Sequence, residues 1–467
     1  MRRRAVAALA ILAASAVASV ASPLPVRIED RPLRFEVPQP QRAVLPNGVV
    51  VYLLEDRTVP AFEVTAIFSA GTGDDPASLG GLAEVTAEAI RSGGAGERDA
   101  ASFERALADL AAGLEYRCAP DLTHFSVWSL RSSQRQALDL FVDLLRRPRL
   151  SATAVRTALE RRAEEARRED DDPEMVARRE FTRRLYAGQG YGNWPTPESI
   201  ARISRGAVRD FYRRHYQPQG LMLTVAGDFD GAAMLATLGS RFGDWKPALE
   251  RAAAESRAAR GAPEPASSVP SGGTQARQDR IVVVPRELTQ SSLMFGHPGP
   301  RWADPDLPAL EVLSQILTYY RYFRDVRDNR GLAYEVYSYF DDRRRGGAFV
   351  AAAGTRGDAT RETLDLMHRH LEEIATGRFT DEEAKGSRDT VTARFVGRFA
   401  TAADTVQEFA TAEIHGLPPD WLPNYSRRVA ALTPADLRNA ARRHLHPRDL
   451  LIVVVGDPRQ VGNGAAP

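Results

Sequence analysis

The stretches RRHYQPQGLMLTVAGD (residues 213–228) and RRHLHPRDLLIVVVGD (residues 442–457) align without a gap at an offset of 229 residues. In each copy a basic segment precedes a Pro-containing turn and a mostly apolar run that ends in Gly-Asp. This pattern predicts a helix end, a turn and a buried strand. The same offset carries Ser151 onto Thr380 and Ser204 onto Thr433, and Ser and Thr are preferred helix N-cap residues. A register held this long predicts a duplicated fold.

Working outward from the repeat, the chain divides into two homologous lobes, at residues 22–246 and 280–460. Strand-like and helix-like segments are mixed in both lobes, which predicts an α+β fold with a mostly antiparallel sheet covered by helices in each. Residues 247–279 are rich in Ala, Arg, Ser, Gly and Pro and lack apolar periodicity, so they are predicted to be a linker. Two lobes joined in this way predict a clam-like arrangement, followed by a short tail (461–467).

The N-terminus has the pattern of an export signal. Three Arg follow Met1, an Ala-rich apolar run extends to Val20, and small residues end at Ala21. This pattern predicts a signal peptide over residues 1–21 and therefore a periplasmic or secreted protein. No Cys lies near the predicted cleavage site to carry a lipid anchor, so we expect no membrane contact after cleavage. An uncleaved N-terminal anchor is the alternative.

Composition excludes several function classes. The 467 residues are 43% hydrophobic and carry a formal net charge of +1, so the chain has no global field to attract nucleic acid or acidic lipid. Its only cysteine, Cys118, has no partner within the chain for a disulfide. Because it lies in a predicted strand, Cys118 is expected to be a small packed residue rather than a nucleophile.

The segment GGLAEVTAEAI (residues 80–90) has apolar residues at helical spacing after a Gly pair. Glu84 and Glu88 therefore share one face of the predicted helix. Like charges four residues apart cost an isolated helix about 0.2–0.5 kcal/mol. Such a small cost is compatible with drift or with something lying between the two carboxylates.

Together with RDNRGLAY (residues 327–334), this helix resembles the pitrilysin and insulinase family of inverted-zinc peptidases, in particular its two-lobe bacterial members that are similar to the mitochondrial processing peptidase. The family carries a His-x-x-Glu-His helix whose two His bind zinc and whose Glu activates water. In that alignment Glu84 and Glu88 stand at the His positions, Ala87 stands at the catalytic Glu, and Glu165 stands at the position of the family's third ligand. The resemblance therefore implies a degenerate site with no catalytic residue and no metal in this chain.

In the family's two-chain bacterial members, the first Arg and the last Tyr of the second motif grip the substrate peptide near its C-terminal end. The resemblance assigns this substrate-binding role to Arg327 and Tyr334. A guanidinium fork and a phenol suit peptide carbonyls and carboxylates. In the structural alternative, Arg327 lies on the solvent-exposed face of a helix whose inner face is Tyr320, Phe323 and Val326. Tyr334 then only packs within its strand.

Five further features have structural interpretations. His215 and His444 recur in both copies of the repeat and are predicted to be structural. Trp194 is expected to pack ahead of a helix capped by Thr196, the aromatic run 319–323 to lie mostly in the core, and the acidic run 169–172 to be solvated.

These observations predict the non-catalytic, substrate-binding subunit of a heterodimeric zinc metallopeptidase that degrades or processes peptides. A homologous catalytic subunit would supply the intact zinc helix, and the substrate would be a peptide or unfolded protein. Three alternatives are a metallopeptidase with an unusual carboxylate metal site, a scaffold or binding protein outside proteolysis, and a homodimeric peptide clamp.

Overall fold

The computed structural model describes residues 35–246 and 280–461 and contains one β-sheet in each lobe. The predicted signal peptide (1–21), the linker (247–279) and residues 462–467 of the tail lie outside the described residues. The described residues from Val37 onward belong to one compact unit. No helix within the described residues is both long enough and apolar enough to cross a bilayer.

Each lobe contains runs of strands and runs of helices. The strands are β1 (Gln41–Val44), β2 (Val50–Glu55), β3 (Ala61–Phe68), β4 (Gly113–Cys118), β5 (Thr123–Leu130) and β6 (Leu221–Gly227) in the first lobe, and β7 (Ile281–Pro285), β8 (Gln290–Gly299), β9 (Ala333–Asp341), β10 (Gly347–Arg356) and β11 (Leu451–Gly456) in the second.

The helices of the first lobe are α1 (Leu82–Ser92), α2 (Ala100–Asp109), α3 (Gln134–Arg146), α4 (Ala152–Arg168), α5 (Pro173–Leu185), α6 (Pro197–Ala201), α7 (Arg205–His215) and α8 (Gly231–Phe242). Those of the second lobe are α9 (Leu307–Gln315), α10 (Thr360–Ala375), α11 (Asp381–Gly397), α12 (Ala402–Ile414), α13 (Trp421–Ala431), α14 (Pro434–His444) and α15 (Pro458–Val461). Helix α9 continues without a break into a π-helix (Ile316–Asn329).

The two sheets share one topology over five strands, and the first sheet has β1 as an additional edge strand. Their strand orders are β1-β2-β6-β3-β5-β4 and β7-β11-β8-β10-β9. The strands of the sequence repeat, β6 and β11, take equivalent places: each runs parallel to one neighbour (β2 or β7) and antiparallel to the other (β3 or β8). All remaining pairs are antiparallel. The predicted α+β fold with two mostly antiparallel sheets is confirmed.

The helices repeat with the same register as the strands. Helices α4 and α11, α5 and α12, and α7 and α14 each begin 229 residues apart and have equal lengths. Ser151 and Thr380 cap one pair through their side chains, and Ser204 and Thr433 cap another. The N-caps predicted from the offset are therefore present, because the side-chain oxygen of each satisfies a backbone N–H that the helix leaves unpaired.

Each sheet is covered on one side by a helix from the other lobe. Helix α5 packs on the second sheet, where its Val176 and Phe181 share a core with Met294 and Val453. Helix α12 packs on the first sheet in return, with its Val406 and Ala410 against strands β2 and β6. This exchange refines the clam-like arrangement, because direct core packing holds the lobes together in addition to the chain connection.

The loop between β9 and β10 adds a polar contact between the lobes. Arg345 Nη1 donates to the Gly73 carbonyl at 2.7 Å, and both Arg344 and Arg345 pair with the Asp74 carboxylate. Arg343 lies over the rings of Tyr186 and Tyr191. The contact therefore combines ion pairs with cation–π stacking.

Phe181→Ala tests the exchanged helix. Phe181 is buried, and its ring closely approaches Gly296 of the second sheet. We expect the substitution to lower the free energy of unfolding by about 3–5 kcal/mol, because it leaves a cavity between the lobes. Urea titration followed by circular dichroism measures the change. Arg183→Ala, at an exposed position of the same helix, is the control, with an expected change within about 0.5 kcal/mol. Equal effects of the two variants would show that α5 does not hold the lobes together.

Candidate functional site

Helix α1 begins at a glycine in the left-handed region. Its N-cap residue Gly81 has a φ of 97°, a conformation that is strained for any residue with a Cβ. The Asp75 carboxylate accepts hydrogen bonds from the backbone N–H groups of Gly81 and Ala83, each at 2.7 Å. Burial raises the pKa of Asp75 well above its usual value, and these two hydrogen bonds offset only part of the shift. Asp75 thereby fixes the start of the helix that carries Glu84 and Glu88.

The face of α1 that carries the two glutamates packs against α4, which supplies two arginines. Arg162 Nε donates to Glu84 Oε2 at 2.5 Å, and Arg161 Nη1 donates to Glu88 Oε2 at 3.1 Å. Arg161 Nε also donates to Glu165 Oε1 at 3.1 Å. The structure thus brings the three predicted metal-site positions together, each with a guanidinium partner.

A pocket of about 250 Å³ lies between α1, β4 and α4, and the three glutamates and two arginines line it. Cys118 lines it too and accepts a hydrogen bond from Thr123 at 3.5 Å. Burial raises the pKa of the Cys118 thiol, which favours its protonated form, and the side chain packs against the core of the first lobe as predicted.

The arginine cluster continues into the acidic run that follows α4. Arg162 Nη1 donates to Glu169 Oε1 at 3.1 Å, and Trp194 Nε1 donates to Glu169 Oε2 at 2.9 Å. Burial works against the charge of Arg162, but Glu84 and Glu169 raise its pKa above the usual value. The prediction of a solvated acidic run is therefore wrong for Glu169. Asp172 also has a specific role, because its side chain caps α5.

These side chains do not fit a hydrolytic zinc ion. Zinc in such sites takes three protein ligands, usually with His among them, and keeps a position for water. Here the candidate ligands are three carboxylates that already bind two guanidinium groups. Ala87, at the place of the catalytic Glu, is fully buried and has no proton acceptor. A cation at these carboxylates would compete with the two guanidinium groups for them.

Within residues 35–246 and 280–461, one group of three candidate ligand side chains converges to within 4.8 Å: Asp304, Asp306 and His444. Arg443 donates to both carboxylate oxygens of Asp306 at 2.9 Å, and His444 Nε2 lies 2.8 Å from the same carboxylate. Asp306 is therefore already paired. The group ties the start of α9 to the end of α14, which agrees with the structural role predicted for His444. His215 packs on the Phe211 ring with centroids 4.3 Å apart.

The second predicted site lies at the end of the π-helix. Its winding is wider than that of an α-helix, and its buried positions are Ile316, Leu317, Tyr322 and Val326. The inner face predicted as Tyr320, Phe323 and Val326 is correct only for Val326, because the prediction assumed 3.6 residues per turn. The expectation that the run 319–323 is mostly core is wrong as well, since Tyr322 alone in that run is fully buried.

Gly331 turns the chain from the π-helix into β9. It has a φ of 59°, and its N–H donates to the Arg327 carbonyl at 2.9 Å. This turn brings Tyr334 back beside Arg327, whose guanidinium carbon lies 5.2 Å from the centre of the Tyr334 ring. Tyr334 is 79% exposed, so it is not ordinary strand packing. The two residues predicted to bind substrate form a surface pair.

Sequence reasoning missed the two arginines of α4. Arg161 and Arg162 precede Glu165 by four and three residues, the spacing at which helical side chains meet. That spacing was a usable signal for the contact with Glu165. It gave no information on α1, because Arg162 and Glu84 are 78 residues apart in sequence.

The fold and the sites define a two-lobe protein in which ion pairs join the three glutamates of α1 and α4. The family described as "Peptidase M16 inactive domain" matches residues 202–391 of this chain. The chain is also similar to proteins named as uncharacterized zinc proteases. An uncharacterized zinc protease of Streptomyces coelicolor is 24% identical over 421 residues, which cover 89% of each chain. One of Mycobacterium tuberculosis is 24% identical over 424 residues, which cover 89% of this chain and 93% of that one.

Solved structures share the fold. The peptidase M16 inactive domain from Pseudomonas fluorescens superposes with a TM-score of 0.78 and 23% identity over 90% of this chain and 98% of that chain. A protease from Helicobacter pylori superposes with a TM-score of 0.76 and 18% identity over 90% of this chain and 100% of that chain. The resemblance drawn from the two motifs is confirmed.

Arg162→Ala tests the ion-pair cluster. We expect a loss of about 3 kcal/mol in the free energy of unfolding, because Glu84 and Glu169 lose the charge that compensates them. Chemical denaturation measures the loss. Arg156→Ala removes an exposed arginine of the same helix, 3.9 Å from Glu160, and should cost less than about 1 kcal/mol. If Arg162→Ala were as stable as this control, the cluster would not hold α1 against α4.

Proposed function

We propose that this chain is the non-catalytic, substrate-binding subunit of a heterodimeric zinc peptidase. The observation that carries the proposal is the pairing of Arg161 and Arg162 with the three glutamates at the family's metal position. Ala87 supports it, because a general base typically contributes about 10²–10⁴-fold to such a reaction and alanine cannot act as one. The first lobe in this proposal has a structural role.

The partner in this proposal is a homologous chain with an intact His-x-x-Glu-His helix, and zinc binds there. The match to an M16 inactive domain supports a partnership of this kind. The substrate is a peptide or an unfolded protein. The complex works in the periplasm or outside the cell, in keeping with the predicted signal peptide.

Arg327 and Tyr334 are the proposed substrate contacts of this subunit. The guanidinium presents several N–H donors in one plane, and the Tyr334 hydroxyl adds a donor beside it. Within the described residues, the closest carboxylate contact of Arg327 is Asp328 at 3.9 Å. Most of the hydrogen-bonding capacity of Arg327 is therefore available to peptide carbonyls or to a carboxylate.

Co-expression with a sibling chain that carries His-x-x-Glu-His tests the proposal. The heterodimer should cleave an unstructured peptide, and Arg327→Ala and Tyr334→Phe in this chain should each lower kcat/KM by about tenfold, the cost of losing one good hydrogen bond. Arg324→Ala, at an exposed position of the same π-helix, is the matched control and should leave kcat/KM unchanged.

Unchanged turnover in both the Arg327 and Tyr334 variants would refute the substrate-binding role. Stoichiometric metal in the isolated chain, with peptide hydrolysis abolished by Glu165→Gln, would instead show a carboxylate metallopeptidase. A chain that leaves the activity of every sibling unaltered would point to a scaffold.

A further inference from the structure

A larger pocket in the second lobe occupies the position equivalent to the pocket that Arg161 and Arg162 line in the first. It has a volume of about 540 Å³ and lies between α9, β9 and α11. These elements repeat the roles of α1, β4 and α4, since α9 packs against α11, α14 and β9 as α1 packs against α4, α7 and β4. The duplication has therefore produced two corresponding pockets with different contents.

The second pocket has room for a ligand. Its volume lies within the range of about 300–1,000 Å³ that is typical of small-molecule sites. Apolar side chains from three elements line part of its wall: Leu307, Leu310, Phe340 and Val391. Such a wall suits one side chain of a peptide better than it suits a bare ion.

The charges in the pocket leave one guanidinium available. Glu311 is paired, because Arg398 lies 3.4 Å from its carboxylate and the Tyr425 hydroxyl donates to it. Burial raises the pKa of the other acidic group, Asp342, which favours its neutral form. Arg394 is exposed and shows no carboxylate partner within the described part of the chain. Its Nη2 donates to the Tyr319 hydroxyl at 2.9 Å, which orients the guanidinium and leaves its other donors free.

A continuous strip of rings and guanidinium groups joins this pocket to the proposed substrate pair. Arg394 lies 5.4 Å from the Tyr319 ring, and Tyr319 stacks on Phe323 with centroids 5.8 Å apart. Arg327 lies 4.1 Å from the Phe323 ring and 5.2 Å from the Tyr334 ring. We call these five residues the aromatic–arginine strip. An extended peptide held by Arg327 and Tyr334 can follow it to the pocket.

We propose that Arg394 and this pocket bind the end of a peptide, with the carboxylate on Arg394 and the last side chain in the pocket. The inference rests on the proposed function, because Arg327 and Tyr334 must hold the preceding residues. Arginine suits the task, since its planar fork matches a carboxylate and charge-assisted hydrogen bonds are the stronger ones. A C-terminal carboxylate and the side chain of a final Asp or Glu share this chemistry.

Fluorescence anisotropy with three labelled octapeptides tests the inference on the full chain, alone and co-expressed with the catalytic sibling. One peptide ends in Leu with a free carboxylate, the second is its C-terminal amide, and the third is an amide that ends in Glu. We expect the free acid to bind about tenfold more tightly than the Leu amide. Arg394→Gln should remove this difference, and Tyr319→Phe should reduce it. Arg213→Gln, at an exposed site of the first lobe, should preserve it.

The outcomes separate this inference from the proposed function. Arg327→Ala should weaken the binding of the free acid and of the Leu amide by the same factor, because Arg327 contacts residues that precede the C-terminal residue of the peptide. If it does so while Arg394→Gln leaves the ratio of acid to amide affinity unchanged, the pocket inference is overturned and the proposed function stands. If the wild-type chain binds none of the three peptides, either alone or with the catalytic sibling, the pocket inference and the proposed function are both overturned. If the Glu amide binds as tightly as the free acid and Arg394→Gln abolishes this binding, Arg394 also accepts the side-chain carboxylate of a final Glu.

Discussion

Arg162 lies between Glu84 and Glu169 with 10% of its side chain exposed, and this ion-pair cluster is the interaction on which the account of the protein depends. A buried guanidinium is stable only with carboxylates around it, and buried carboxylates need a cation in turn. Here two arginines of α4 supply that positive charge, so ion pairs hold α1 against α4.

The duplication places a pocket equivalent to that of the ion-pair cluster in the second lobe. Both lobes have the same sheet topology and the same helix register, so each contains a pocket between equivalent elements. In the first lobe, Arg161 and Arg162 pair with the carboxylates that line the pocket. In the second, Glu311 is paired at the wall and the larger pocket stays open beside Arg394. One architecture thus serves stability in one half and, in our proposal, ligand binding in the other.

The exchanged helices α5 and α12 make the two lobes interdependent. Each sheet would expose an apolar face if the other lobe were removed, because Val176 and Phe181 cover one and Val406 and Ala410 cover the other. Burial of apolar surface favours the joined state. The packing of α5 and α12 therefore fixes where the ion-pair cluster lies relative to the aromatic–arginine strip.

The sequence by itself determined the duplication, the α+β class, the helix caps and the positions of Glu84, Ala87, Glu88, Arg327 and Tyr334. These follow from local patterns: periodicity, cap residues and motifs within a few residues of one another. Only the tertiary structure decided the partners of the glutamates, the exchange of helices and the connection from Tyr334 to Arg394. Each depends on contacts between residues far apart in sequence, such as Arg161 and Glu88, which are 73 residues apart. The core of the π-helix also escaped prediction, because its winding places Tyr322 rather than Tyr320 and Phe323 inside.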